Sequence, residues 1–166
     1  METKLNKSML NKAVQLLAQR NHSSYELSQK IASFFIKKLQ YTDEEYHDQL
    51  AKLKIEIQYI IEYCIKQNWI NDEQYIENYI VMRAQKGYGK YKIAMELKQR
   101  GLPVDLSRQL LQIADINWGN MAYEQLLKKL KQIDCKKNNN KQKGMQFLMA
   151  RGYTQDDIKT AYDLLT

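Results

Sequence analysis

The sequence predicts an all-α chain, an elongated array of three tandem three-helix repeats, on three observations. Apolar residues recur at helical spacing nearly throughout, and scarcely any stretch alternates with period two for long enough to read as a strand. Helix breakers are rare, with six Gly and one Pro in 166 residues. One pattern also occurs three times: a residue tolerant of left-handed φ, an apolar residue, two further positions, then Asp. It stands at Asn68-Trp69-Ile70-Asn71-Asp72, Gly101-Leu102-Pro103-Val104-Asp105 and Gly152-Tyr153-Thr154-Gln155-Asp156. Physically this is a helix stop, with Gly or Asn at C′ and the apolar residue folding back over the last turn, followed at once by a new N-terminus.

Each element follows in order. Ala13, Leu16 and Leu17 stripe a first helix that ends near Arg20. Ser23-Ser24-Tyr25-Glu26 reads as a capping box, with Glu26 reaching back to the cap, and Leu27, Ile31 and Phe34 or Phe35 share the next apolar face. After a loop over 37–41, a second box, Thr42-Asp43-Glu44-Glu45, opens a long helix striped by Tyr46, Leu50, Leu53, Ile57, Ile60, Ile61 and Cys64. Beyond the first corner, Tyr75, Ile76, Tyr79 and Ile80 form an apolar face, and Arg83 lies one turn past Tyr79 on that face. Pro103 suits the first position of the helix after the second corner.

The repeat extends backwards from the corners. Residues 92–101 line up with 143–152, placing Leu97 with Leu148 and Arg100 with Arg151, and 23–31 match 89–97 in the same way. The expected units are therefore 1–70, 71–114 and 115–166, with unequal spacing that argues against a solenoid of fixed period. Residues 135–141, with three consecutive Asn, read as the loop between two helices of the third unit, either simply solvated or a nucleic-acid contact.

Composition excludes several classes. Gly and Pro are too few for collagen or low-complexity linkers. No apolar run approaches the ~20 residues of a membrane span, since even 55–65 is interrupted by Glu56, Gln58 and Glu62. The first seven residues contain no apolar signal core, so a cytoplasmic location is expected. Cys64 and Cys135 form no CxxC pair, Cys64 falls on an apolar stripe as a buried thiol would, and His22 and His47 have no ligand-spaced partner. No metal, cofactor or catalytic residue is expected. Nucleotide-loop, hydrolase-elbow and zinc-protease motifs are all missing, and the paired acids 43–45 and 156–157 are helix starts.

Charge is more informative. Lys and Arg number 26 against 19 Asp and Glu, a formal net charge of +7, which suits an anionic partner. Between Thr42 and Ile80 nine acids face three lysines, whereas Lys86, Lys90, Lys92, Lys98, Arg100, Lys128, Lys129 and Arg151 make the later units basic. The segment Arg83-Ala84-Gln85-Lys86-Gly87-Tyr88-Gly89-Lys90-Tyr91-Lys92-Ile93 concentrates this. Two glycines bracket a tyrosine among cations, which gives either a rigid corner presenting backbone amides and cations together, or a plain junction in which Gly87 is a C-cap, Gly89 an N-cap and Tyr88 a packing residue.

Arg83, Lys86-Gly87-Tyr88-Gly89, Ile93, Glu96-Leu97, Arg100-Gly101 and Leu102 resemble the central signature of the RecX regulatory family. Residues 16–23 with Glu26-Leu27 and Lys30, the start Asn71-Asp72-Glu73-Gln74-Tyr75, and Asp115-Ile116-Asn117-Trp118 with Arg151-Gly152-Tyr153 extend the likeness over roughly residues 10–165. Asn68-Trp69 stands where the family has Gly-Tyr or Gly-Phe, Pro103 replaces a polar cap, and 135–142 match nothing. The resemblance implies three tandem three-helix repeats and a protein that binds RecA and its filament on DNA, inhibiting strand exchange, ATP hydrolysis and coprotease activity. Under it, Arg83, Lys86, Tyr88, Lys90, Lys92, Lys98, Arg100, Lys128, Lys129 and Arg151 are the candidate RecA- or DNA-binding residues. Arg83 would hold the corner by capping or bridging carbonyls. A monomer with weak, sequence-blind affinity for DNA is expected. The alternative is a helix-turn-helix-like protein acting on DNA directly, with the helix after Gly89 in the major groove.

Overall fold

Left-handed residues punctuate the chain where the sequence places its corners, and a fourth joins them. Asn68 (φ 60°), Gly87 (φ 93°), Gly101 (φ 78°) and Gly152 (φ 94°) each follow a helix. At each, the next residue donates its amide to a carbonyl five back: Trp69 to Cys64 at 2.9 Å, Tyr88 to Arg83 at 3.1 Å, Leu102 to Leu97 at 3.1 Å and Tyr153 to Leu148 at 3.2 Å. That bond satisfies carbonyls the helix end leaves orphaned.

In the computed structural model, which describes residues 4–39, 43–132 and 140–165, nine helices occur among the described residues and no strand. They are α1 (Lys7–Gln19), α2 (Ser24–Ile36), α3 (Asp43–Lys66), α4 (Asp72–Gln85), α5 (Lys90–Gln99), α6 (Val104–Ile113), α7 (Trp118–Gln132), α8 (Asn140–Ala150) and α9 (Gln155–Leu164). The chain divides into two compact units, 1–75 and 76–166.

In the first unit, α1, α2 and α3 enclose Met9, Ala13, Leu16, Leu27, Ile31, Leu53, Ile57, Ile60, Ile61, Cys64 and Ile70. Cys64 is a buried free thiol, its pKa raised by burial. Asn6 caps α1 through Met9 N–H (3.2 Å) and donates to Glu56 of α3 (2.8 Å). Ser23 caps α2 by accepting from Glu26 N–H at 3.1 Å, but the box is half made. The Glu26 carboxylate turns instead to Arg20 and to the Tyr75 hydroxyl. The start of α2 is held by Asp72, which accepts from Ser24 N–H (2.7 Å) and Oγ (2.6 Å). The expected box at Thr42 and the cysteine at 135 lie outside the described residues.

Three local expectations change. Trp69 stays 45% exposed, edge-on to Tyr63 in the last turn of α3, and Ile70 enters the core in its place. Pro103, at φ −60° and ψ 127°, is the N-cap of α6 rather than its first helical residue. Asn140 and Lys141, expected in a loop, begin α8, where the Tyr162 hydroxyl donates to the Lys141 carbonyl at 2.8 Å.

The second unit contains two cores. Ile76, Tyr79, Ile80, Ile93, Leu97, Leu102, Leu110 and Leu111 are buried in the α4–α6 region, and Ala122, Leu126, Leu148, Tyr153, Ile158 and Ala161 form the core of α7–α9. Backbone joins them. Gly89 N–H donates to the Arg151 carbonyl at 2.8 Å and Tyr91 N–H to the Gly152 carbonyl at 2.9 Å, so the first amides of α5 satisfy the last carbonyls of the α8 corner. A Cβ on Gly89 would lie 2.5 Å from Gly152 C, and one on Gly152 would lie 2.4 Å from Lys92 N. Only glycine permits that approach.

Gly89 itself has φ −95°, which any residue adopts, so a side chain there is penalised by contact alone. Gly89→Ala is expected to lose about 3 kcal/mol by overpacking against rigid backbone. Gly101→Ala, at an exposed left-handed corner, should lose about 1 kcal/mol. Urea unfolding of the two variants checks the order; equal losses would contradict the docking.

Candidate functional site

The junction between α4 and α5 gathers the cations that the sequence scatters. On α4, Tyr79 and Arg83 are one turn apart; on α5, Lys92 and Glu96 are successive turns of one face, which Arg100, the C-cap of that helix, continues. Arg83 Nη2 donates to Glu96 Oε1 at 2.9 Å, and the Tyr79 hydroxyl donates to Glu96 Oε2. The Arg100 guanidinium lies over the Tyr79 ring at 4.9 Å. Burial would lift the Glu96 carboxyl, but hydrogen bonds from Arg83 and Tyr79 hold it below its ordinary value of 4.5. The same bond raises Arg83, and burial with the Glu96 contact pushes Tyr79 up to about 12, so its phenol remains a donor.

Tyr88, between the two glycines, carries a second arrangement. Its ring has the Arg83 guanidinium at 3.9 Å, that of Arg151 at 4.7 Å and the Lys92 ammonium at 5.7 Å. Arg151 also lies 5.3 Å from the Phe147 ring, which Lys129 approaches at 5.1 Å, and Lys90 stands 5.7 Å from Trp118. Arg151 and Lys129 come from the third set of helices and Arg83, Lys90 and Lys92 from the second, so the surface exists only because the glycine docking joins them. Among the described residues neither Lys92 nor Arg151 has a carboxylate at ion-pair distance. Rings hold these cations in place without drawing them into a direct ion pair.

Five of the ten candidate residues therefore share linked rings, Arg83, Tyr88, Lys92, Lys129 and Arg151, while Lys90 has its own ring in Trp118. Arg100 joins through Tyr79 and the Glu96 pair. Lys86, Lys98 and Lys128 are exposed and lie outside the ring contacts. Two expectations are corrected. Arg83 bridges a carboxylate and a ring rather than carbonyls. The corner does not present its amides either: those of Gly87, Tyr88, Gly89 and Tyr91 are bonded to Ala84, Arg83, Arg151 and Gly152. Both sequence readings of the corner thus hold in part, since Gly87 and Gly89 are caps and Tyr88 is at once a packing residue and the ring that organises the cations.

Sequence reasoning includes Glu96 and Trp118 only as part of the family likeness, with no role in the site, and does not single out Phe147 or Gln125 for the site, the latter a side chain that packs where a Gly87 Cβ would sit, 2.3 Å from its Cδ. The i, i+4 spacing of Lys92, Glu96 and Arg100 was a readable signal for Glu96. His22 is likewise buried, with Nδ1 at 2.8 Å from the Arg20 carbonyl and Nε2 at 2.9 Å from Lys30 Nζ; burial lowers its pKa. No described helix is long and apolar enough to cross a membrane.

Residues 71–111 match the second three-helix domain of RecX. Over 160 residues the chain is 33% identical to the regulatory protein RecX of Yersinia enterocolitica, covering 93% of this chain and 96% of that one. The chain belongs to the RecX family. It is 31% identical over 151 residues to the RecX of Salmonella heidelberg, covering 91% and 87% of the two chains. The crystal structure of RecX from Lactobacillus salivarius superposes with a TM-score of 0.72 at 20% identity, over 95% of this chain and 94% of that one, which shows the shared fold. A second RecX crystal structure gives a TM-score of 0.71 at 16% identity, over 98% and 81%. Three three-helix repeats are thus the RecX architecture, and the family's name assigns a regulatory role.

Within this RecX-family site, Glu96 has a depressed folded-state pKa, so its stabilisation is present above pH 4.5 and lost as pH falls through the folded value. Glu96→Gln should cost about 2 kcal/mol at pH 7 through weakened bonds to Arg83 and Tyr79. The gap between wild type and variant should narrow below pH 4.5. Urea unfolding at a series of pH values reads both; a gap independent of pH would contradict the charged assignment.

Proposed function

We propose that this RecX-family chain binds RecA and its filament on DNA and inhibits RecA's recombinase, ATPase and coprotease activities. The observation that carries the reading is the Tyr88 cluster, where cations from two repeats share one ring and only Arg83 is paired with a carboxylate, that of Glu96. A surface of that kind suits the acidic patches and phosphates of a nucleoprotein filament. Lys86, Lys90, Lys92, Lys98, Arg100, Lys128, Lys129 and Arg151 supply the contact, and Arg83 positions Tyr88 and Glu96. Seated across neighbouring RecA protomers, the chain blocks filament growth or the groove that an incoming duplex needs. No bond is made or broken.

The docking of α5 argues against the alternative of a helix-turn-helix reader. Such a reader puts the N-terminal residues of its recognition helix against base edges. Here the first amides of α5 are bonded to the α8 corner, and the cations beside them, Lys90 and Lys92, are phosphate seekers rather than base readers.

Replacing Lys86, Lys90 and Lys92 together with Ala should raise the concentration needed to inhibit RecA's DNA-dependent ATPase by at least about tenfold. Binding of the wild-type chain to naked DNA should be weak, about micromolar or weaker at physiological salt, sequence-blind and steeply salt-dependent. Undiminished inhibition by the triple variant would refute the contact surface, and tight sequence-specific DNA binding would favour the direct reader.

A further inference from the structure

On the other side of α4 from the cationic cluster lies a cleft of about 280 Å³ between α4 and the end of α6. Glu77 and Val81 are one turn apart, and Tyr79 and Arg83 sit two residues further on, about 200° around the helix. The floor is Ile80 and Leu110, both buried. The walls are Val81, 48% exposed, and Ile113, at 76% the most exposed of the large apolar residues described. Glu77 and Asp115 stand on the rim, and no lysine or arginine contributes to the lining, in a chain of net charge +7. Neither branched side chain has a polar tip to turn toward water, and two exposed carboxylates without an ion-pair partner among the described residues flank them.

We infer that this cleft is a second docking site, opposite in charge to the first, which takes an apolar side chain flanked by a lysine or arginine on a protein partner. Resting on the RecA reading above, that partner is a RecA protomer. Charge complementarity selects the occupant: the acidic rim repels DNA and attracts a basic flank, while the apolar walls bury the anchor. The two faces of α4 then have different tasks, one cationic and one apolar with acids, and a chain gripping through both reads protein as well as charge.

The test uses the full chain in RecA ATPase titrations on single-stranded DNA, with two exposed-residue variants whose unfolding midpoints should match wild type. Val81→Ser with Ile113→Ser removes the anchor contact at unchanged charge, and Glu77→Gln with Asp115→Asn removes the rim charge. The first should raise the half-inhibitory concentration about tenfold or more and the second about threefold or more, with binding to naked DNA not weakened in either. Wild-type inhibition by the serine variant, with the triple lysine variant still impaired, would overturn the cleft while sparing the RecA reading. Failure of the wild type to bind RecA filaments would overturn both. Wild-type inhibition by the amide variant would overturn the basic flank, and a solution dimer dissolved by the serine variant would overturn the inference in favour of a second copy.

Discussion

Two backbone hydrogen bonds, from Gly89 to Arg151 and from Tyr91 to Gly152, organise the second compact unit. They join the positive end of α5 to the negative end of α8, so each helix terminus satisfies groups the other would leave bare. The approach is close enough that neither Gly89 nor Gly152 has room for a Cβ. Gly87 adds a third point of contact, its missing side chain replaced by the buried amide of Gln125. The glycine-rich motif is therefore a rigid joint.

The cationic surface is a consequence of that joint. Arg83 and Lys92 belong to one repeat and Arg151 to the next, and Tyr88, fixed between the glycines, is the ring on which they converge. Each such contact is worth only about 0.5–1 kcal/mol at a partly exposed position, too little to hold the fold together. The contribution is positional: long, flexible side chains are confined, and Lys92 and Arg151 keep their charge out of any direct ion pair among the described residues. Glu96 has the complementary task of anchoring Arg83 and Tyr79, so that one acid stabilises the joint without neutralising the rest.

Much of the fold was legible because helix stops are local chemistry. Asn68, Gly101 and Gly152 announce left-handed residues whatever surrounds them, and Asp or Thr after them announces the next start. What was not legible depended on other helices. Nothing in the sequence tells whether Trp69 or Ile70 enters the core, since both are apolar and the choice is made by the space left beside α3. Glu26 satisfies the spacing of a capping box, yet Arg20 and Tyr75 offer its carboxylate better partners. Gly89 reads locally as a cap with an ordinary φ, and only the backbone of the α8 corner explains why it carries no side chain. The basic character of the site was visible as composition, whereas its grouping around Tyr88, Phe147 and Trp118 required the third repeat to be in place.

Amide hydrogen exchange at Gly89 and Tyr91 tests the joint most directly. Amides at the start of a helix ordinarily face water and exchange rapidly, because the helix provides them no acceptor. If the two repeats are clasped through these groups, both should exchange only with opening of the unit, as slowly as core amides such as that of Leu97. Exchange at the rate of exposed helix-start amides would contradict the clasp, and with it the origin of the cationic surface.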